Sequence, residues 1–404
     1  MRDRLRILIL LVFAAAPLAG QDLFTRIADL RPGTADGLLY LDAAVWNGAL
    51  YFAAQDDASG LDLWRYDGIQ PPALVAGSDG VKPQGLLVHD DALYFRGGPA
   101  NDRELWHYDG VVPPQEALDI FAGTHSGPAA ITSFGDRICF SGTTAAGAEL
   151  MCWDGLTAPT VFDIRPGAEG SSPEGLAALQ GELYFSAYEP TAGNEPRVYS
   201  GVGQPTVFDV VPGAGSSGPM EFTAAGADVY FTAAIGGQMR LFRREPSLQP
   251  VLIEPDLVVE GGLGSFAGAL YVAGQSASEP GPGLFRYEAA VPDPLRGIQV
   301  PVPFADSFLE FDGALYFVAG VFPPFTDIYR HCAGSESVQL VSTPFAGDED
   351  WIDHGLLAFG DRIYFSAVED LTTGRELWAL DPMQPIFCSG FPGGDTDDWS
   401  AVAP

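Results

Sequence analysis

A short aromatic motif recurs eight times along the chain. Its fullest form lies in the stretch from Asp163 to Phe185, where the pair Gln180-Gly181 precedes Glu182-Leu183-Tyr184-Phe185. Asn47-Gly48 before Leu50-Tyr51-Phe52 and Asp312-Gly313 before Leu315-Tyr316-Phe317 are variants. Aligned on the Tyr position (Tyr51, Tyr94, Cys139, Tyr184, Tyr230, Tyr271, Tyr316, Tyr364), the units follow one another at 43, 45, 45, 46, 41, 45 and 48 residues. Repetition at such a period marks an architecture in which each unit buries its faces against its neighbours.

Each unit reads as four strands. The first precedes the tight turn, as in Gly175 to Leu179, and the second is the aromatic run, as in Leu183 to Ala187. The third is a Glu-Leu-Trp run, clearest at Glu104-Leu105-Trp106 and Glu376-Leu377-Trp378. The fourth is an apolar run ending in acid, Thr160 to Asp163 or Thr206 to Asp209. Pairs such as Asn47-Gly48 supply the positive φ angles that a two-residue hairpin requires. The second strands are nearly continuous apolar runs, the pattern of strands covered on both faces rather than on one. These features predict an all-β, eight-bladed β-propeller of four-stranded antiparallel blades, with a seven-bladed ring as the alternative. The last unit ends at Trp378-Ala379-Leu380-Asp381-Pro382 without a fourth strand, whereas Leu23 to Gly33 reads as a fourth strand and its loop. The N-terminal segment is therefore expected to complete blade 8 and close the ring, removing an open sheet edge.

Three segments follow. Residues 1–20 carry Arg2, Arg4 and Arg6 before an apolar run from Ile7 to Ala19, the signature of a secretory signal peptide. Residues 21–382 form the propeller, and residues 383–404 a C-terminal tail rich in glycine and acid, read as a loose tail pinned by Cys388, with a sorting or retention segment as the alternative. No later stretch is apolar for the eighteen residues that a membrane span requires. The expected location is secreted or cell-surface, the periplasm included.

The formal charge is −33, and removing the leader with its three arginines and one aspartate leaves −35. Such a field repels nucleic acid and anionic membrane and attracts cations or basic partners. The four cysteines suit an oxidising compartment. Cys139 and Cys152 fall on adjacent strands of one hairpin and are expected to bridge, leaving Cys332 and Cys388 as the second pair.

Glu104 to Gly110, Glu149 to Gly155 and Asp163 to Gly167 together resemble the ELWxxDGT repeats of exported bacterial proteins. The resemblance covers roughly Phe24 to Asp381 and fades in blades 5 to 7, where Met239-Arg240-Leu241-Phe242 replaces the Glu-Leu-Trp run. It implies an extracellular β-propeller and no single activity. Asp370 to Trp378 also resembles the Trp motif of eight-bladed quinoprotein dehydrogenases, in which the Trp packs blades together. Those enzymes' adjacent cysteine pair has no counterpart here.

Local catalytic signals are sparse. Gly213 to Gly218 fits G-x-G-x-x-G, but no helix is predicted after it to present its N-terminus to a phosphate. The five histidines show no metal-ligand spacing, and no nucleophile elbow is present. No catalytic or cofactor-binding residue is therefore assigned. Carboxylates gather in loops expected to share one rim: Asp56, Asp57, Glu189, Glu369 and Asp370 between strands two and three, Asp163 and Asp209 after strand four. Calcium is the cation that such a rim would take, although no compact oxygen-ligand loop is present. The reading reached is an exported, non-catalytic propeller that binds a protein or glycan through its acidic rim. The alternative is a propeller enzyme (a quinoprotein-like oxidoreductase, a lyase or a hydrolase) with a site spread over several blades; a structural cell-surface element is a second alternative.

Overall fold

The computed structural model describes residues 23–57, 60–277, 281–291, 294–298, 304–322, 325–335, 337–342, 351–352, 355–369 and 373–382. Seven four-stranded antiparallel sheets and one five-stranded sheet follow one another in chain order. Blade 1 contains Ala43–Trp46, Ala49–Asp56, Gly60–Tyr66 and Ala73–Leu74 in spatial order, and blades 2 to 7 repeat this plan. The eight-bladed expectation holds. The fourth strands are shorter than their apolar runs suggest, with Thr160–Phe162 in blade 3 and only Thr206–Val207 in blade 4.

The ring closes as the sequence predicts. Phe24–Ala28 pairs antiparallel with Arg375–Leu380, placing Phe24 opposite Leu380 and Arg26 opposite Trp378. The innermost strand of blade 8 is split into Trp351–Ile352 and Leu357–Phe359, both paired with Arg362–Val368.

The core lies between blades. In the second strand of blade 1, Leu50, Tyr51, Phe52, Ala53 and Ala54 are all buried. Leu50 and Phe52 pack with Tyr364, Leu377 and Ala379 of blade 8. Tyr51 turns to the other face and packs with Leu93 and Phe95 of blade 2. Period-2 alternation thus divides one apolar strand between two neighbours, and each fully buried large side chain contributes roughly 1.5–3 kcal/mol. The turns behave as composition demands: Asn47 and Gly48 have φ of 47° and 70°, the left-handed pair of a type I′ hairpin.

Cys139 lies opposite Cys152 in the register of blade 3, and the two are disulfide-bonded with Cα atoms 4.1 Å apart. Cys332 is also disulfide-bonded; its expected partner, Cys388, lies outside the described residues. The expected signal peptide, residues 1–20, and the expected tail, residues 383–404, lie outside them as well. Among the described residues no helix is long and apolar enough to cross a membrane.

Candidate active site

The loops between strands two and three and those after strand four open on one face of the ring, because strand direction alternates across each blade. The rim carboxylates lie there but do not meet. Asp57 accepts from Arg31 Nε at 3.1 Å, and Glu369 lies 3.8 Å from Arg26. Glu189 pairs with Arg197 at 2.7 Å. Burial works against the Glu189 charge, but hydrogen bonds from Arg197 and Thr191 outweigh it and hold the carboxyl below its ordinary range. Asp56 ends its strand opposite Gly60, Asp163 is exposed, and Asp209 accepts from the Gly213 N–H at 3.3 Å. Asp370 lies outside the described residues. Among those described, no three His, Cys, Asp or Glu side chains group to hold a metal.

A second set of acids is buried instead. The Glu that opens the third strand accepts hydrogen bonds from the loop running on to the next blade. In blade 2, Glu104 takes the Ile120 N–H at 2.8 Å, the Ser126 N–H at 3.1 Å and the Ser126 hydroxyl at 2.6 Å. Glu149 with Ser171 and Glu195 with Ser217 repeat this clamp in blades 3 and 4. The Glu of the Glu-Leu-Trp run is therefore a loop anchor, which explains why it recurs without carrying chemistry.

The strongest candidate for chemistry breaks the repeat in two places. Asp42 stands at a position held by glycine, alanine or serine in six of the other seven blades. It immediately precedes the innermost strand of blade 1. The innermost strand of blade 2, Gln84–His89, carries a bulge between Gln84 and Leu87, with Gly85 at φ 70°. A bulge leaves backbone groups outside the ladder. Asp42 captures two of them, accepting from the Gly85 N–H at 2.6 Å and the Leu86 N–H at 2.9 Å. Burial nonetheless pushes the Asp42 carboxyl above the usual carboxylate range, against those two hydrogen bonds and the nearby Arg96 charge.

Arg96 is the second break, standing in the column where the other blades carry Ala, Ser, Thr or Val. Its Nη2 donates to the Gln84 side-chain oxygen. Arg103 Nη1 donates to the same oxygen at 3.2 Å and to the Lys82 carbonyl at 2.9 Å. Two guanidinium groups thus converge on one neutral acceptor, and among the described residues the buried Arg96 Nε has no hydrogen-bond partner. Desolvation, then the Arg96 charge, lowers the pKa of Arg103. Tyr40 completes the group. Burial, then the Asp42 charge, raises its phenol above the ordinary value, so it stays protonated. Leu39, Tyr40, Asp42, Ala53, Leu61, Pro83 and Gln84 line a small cleft here, at the mouth of the channel formed by the innermost strands.

None of Tyr40, Asp42, Gln84, Arg96 or Arg103 belongs to a recognisable local motif. The signal that marks two of them is their departure from the repeat, visible once the units are aligned residue by residue.

No family model matches the chain, and no curated protein matches it. Solved structures with a similar fold include a puromycin-hydrolysing peptidase of Mycobacterium tuberculosis (13% identity, TM-score 0.48, 83% of this chain and 60% of that one). A prolyl endopeptidase is similar at 14% identity and TM-score 0.49, over 83% of this chain and 55% of that one. The β-propeller domain of the trilobed protease of Pyrococcus furiosus is similar at 11% identity and TM-score 0.45, over 85% of this chain and 95% of that one. The chain thus spans little more than half the length of the first two, and at these identities the likeness concerns fold alone. One expectation is corrected: the reading as a non-catalytic scaffold binding through an acidic rim finds no support in the site. The physical reason lies in the rim itself, whose carboxylates are spread out or paired with arginines rather than gathered into a binding surface.

Proposed function

We propose that the chain is an exported propeller enzyme of the ELWxxDGT-repeat type, a hydrolase or lyase, whose site spans blades 1 and 2 at the channel mouth. Asp42 serves as the base. Its carboxylate is oriented by two backbone N–H groups, and its raised pKa makes it a stronger base than an exposed aspartate. The Tyr40 phenol, held protonated beside it, supplies a proton to the departing group. Export is supported by the charged and apolar leader and by the Cys139–Cys152 bridge, which suits an oxidising compartment.

The observation that carries this reading is the capture of the blade 2 bulge by Asp42, a departure from the repeat whose carboxyl feels the charge of a second departure, Arg96. A site assembled from two blades has no contiguous motif, which accounts for the silence of local pattern matching. The test is turnover on a panel of ester, peptide and glycoside substrates, comparing wild type with Asp42→Asn. A loss of roughly 10²–10⁴-fold, with an unchanged melting temperature, is the expected result for a removed acid–base group. Equal turnover by the two proteins would refute the assignment.

A further inference from the structure

We propose that Arg96 and Arg103 form a carboxylate-binding subsite, so that the molecule taken at this channel mouth is a carboxylate-bearing small molecule. The inference rests on the channel-mouth site described above and adds its ligand class. Both guanidinium groups are directed to a single amide oxygen of Gln84, a weak neutral acceptor for two cations. The Arg103 guanidinium also donates to the Lys82 carbonyl, and among the described residues the buried Arg96 Nε has no hydrogen-bond partner. Two like charges held together in a partly desolvated place are costly unless an anion joins them. Planar guanidinium groups match a carboxylate's two oxygens in parallel.

Charge balance separates a carboxylate from a phosphate. The Arg96 charge acts on Asp42, so two arginines and one aspartate leave one positive charge for the ligand. A monoanion neutralises it. A dianionic phosphate would leave excess negative charge beside Asp42, in a chain of net charge −33. The sequence points the same way: Arg96 fills a column where serine suffices in blades 3, 4 and 8, as Ser141, Ser186 and Ser366. The fold itself has no need of an arginine there.

The experiment is calorimetric titration of the full chain with sodium glucuronate and sodium lactate, using glucose and glycerol as neutral counterparts and inorganic phosphate as the competing oxyanion. Expected are saturable binding of at least one carboxylate, none of the neutral counterparts, and at least tenfold weaker binding in Arg96→Ser and Arg103→Gln. Arg96→Ser installs a residue that the same fold uses in three other blades, and thermal melting verifies its folding. Asp42→Asn should keep or tighten carboxylate binding, since it removes a negative charge, while abolishing turnover. Binding of neither carboxylate, tighter binding of phosphate, or unchanged binding in both arginine variants overturns the subsite. If the carboxylate binds as stated but Asp42→Asn leaves turnover intact, the catalytic reading falls and the subsite stands; loss of turnover without carboxylate binding gives the reverse.

Discussion

Gly37 stands where a serine would complete the hydrogen bonding of Glu376. In blades 2, 3 and 4 the buried Glu at the head of the third strand accepts a serine hydroxyl, from Ser126, Ser171 and Ser217. In blade 8 the clamped loop belongs to the N-terminal segment, and the corresponding residue has no side chain. Glu376 accepts the Leu30 N–H at 3.1 Å, one buried carboxylate oxygen has no hydrogen-bond partner among the described residues, and a Cβ on Gly37 would lie 2.5 Å from the other. The acid at the ring closure is therefore less satisfied than its counterparts in blades 2, 3 and 4.

A pH dependence follows. Burial pushes the Glu376 carboxyl up to about 7 from an ordinary 4.5. A folded-state value above the unfolded one means that the folded chain binds this proton more tightly. The resulting stability is complete below about pH 4.5 and declines as pH rises through about 7. Glu376→Gln keeps an acceptor for Leu30 and removes the buried charge, so it should be more stable than wild type at pH 8, by on the order of 2–3 kcal/mol, and equal to it near pH 4. Denaturant unfolding of both proteins across this range measures the difference. A constant difference at all pH values would show that Glu376 does not titrate in this window.

Removing residues 23–30 deletes the strand opposite Arg375–Leu380 and the Leu30 donor to Glu376. The exposed edge would carry Leu377, Trp378 and Leu380, a surface prone to pairing with another chain. The truncated protein should melt lower and scatter light at concentrations where the full chain does not. An unchanged melting temperature would contradict the closure described.

The Cys139–Cys152 bridge joins residues 13 apart in sequence across one hairpin. Replacing both by alanine should cost about 2–3 kcal/mol, mostly by freeing the unfolded chain. Equilibrium unfolding of wild type under reducing conditions, set beside the double variant, checks this: the two should lose stability alike if this bridge is the one that matters.

Gly147 offers a test of blade packing. Its φ is +82°, and a Cβ there would lie 2.3 Å from the Gly170 nitrogen in the loop that Glu149 anchors. Strain at positive φ costs about 1–3 kcal/mol by itself, and the clash requires backbone movement as well. Gly147→Ala should therefore destabilise by more than about 2 kcal/mol, whereas Gly155→Ala, at φ +79° with open space around it, should show the strain alone. Equal melting temperatures for the two variants would argue against the close approach.

The repeat period, the Leu-Tyr-Phe runs and the pairs such as Asn47-Gly48 determined the blades, because strand period, turn chemistry and burial on both faces are local properties written into contiguous residues. The same reasoning placed Phe24 beside Trp378, since a unit lacking its last strand needs one, and set Cys139 opposite Cys152, since a hairpin fixes register. It could not rank the carboxylates. Asp163 and Asp209 look like Glu104 and Glu376 in sequence, yet the first pair meets water and the second is enclosed by an inter-blade loop. Nor could it bring Asp42 to Gly85, 43 positions later: their meeting depends on the bulge there and on how two blades are stacked. Blades are decided by neighbours along the chain, but the channel mouth is decided by neighbours across the ring, and only the closed tertiary structure sets those.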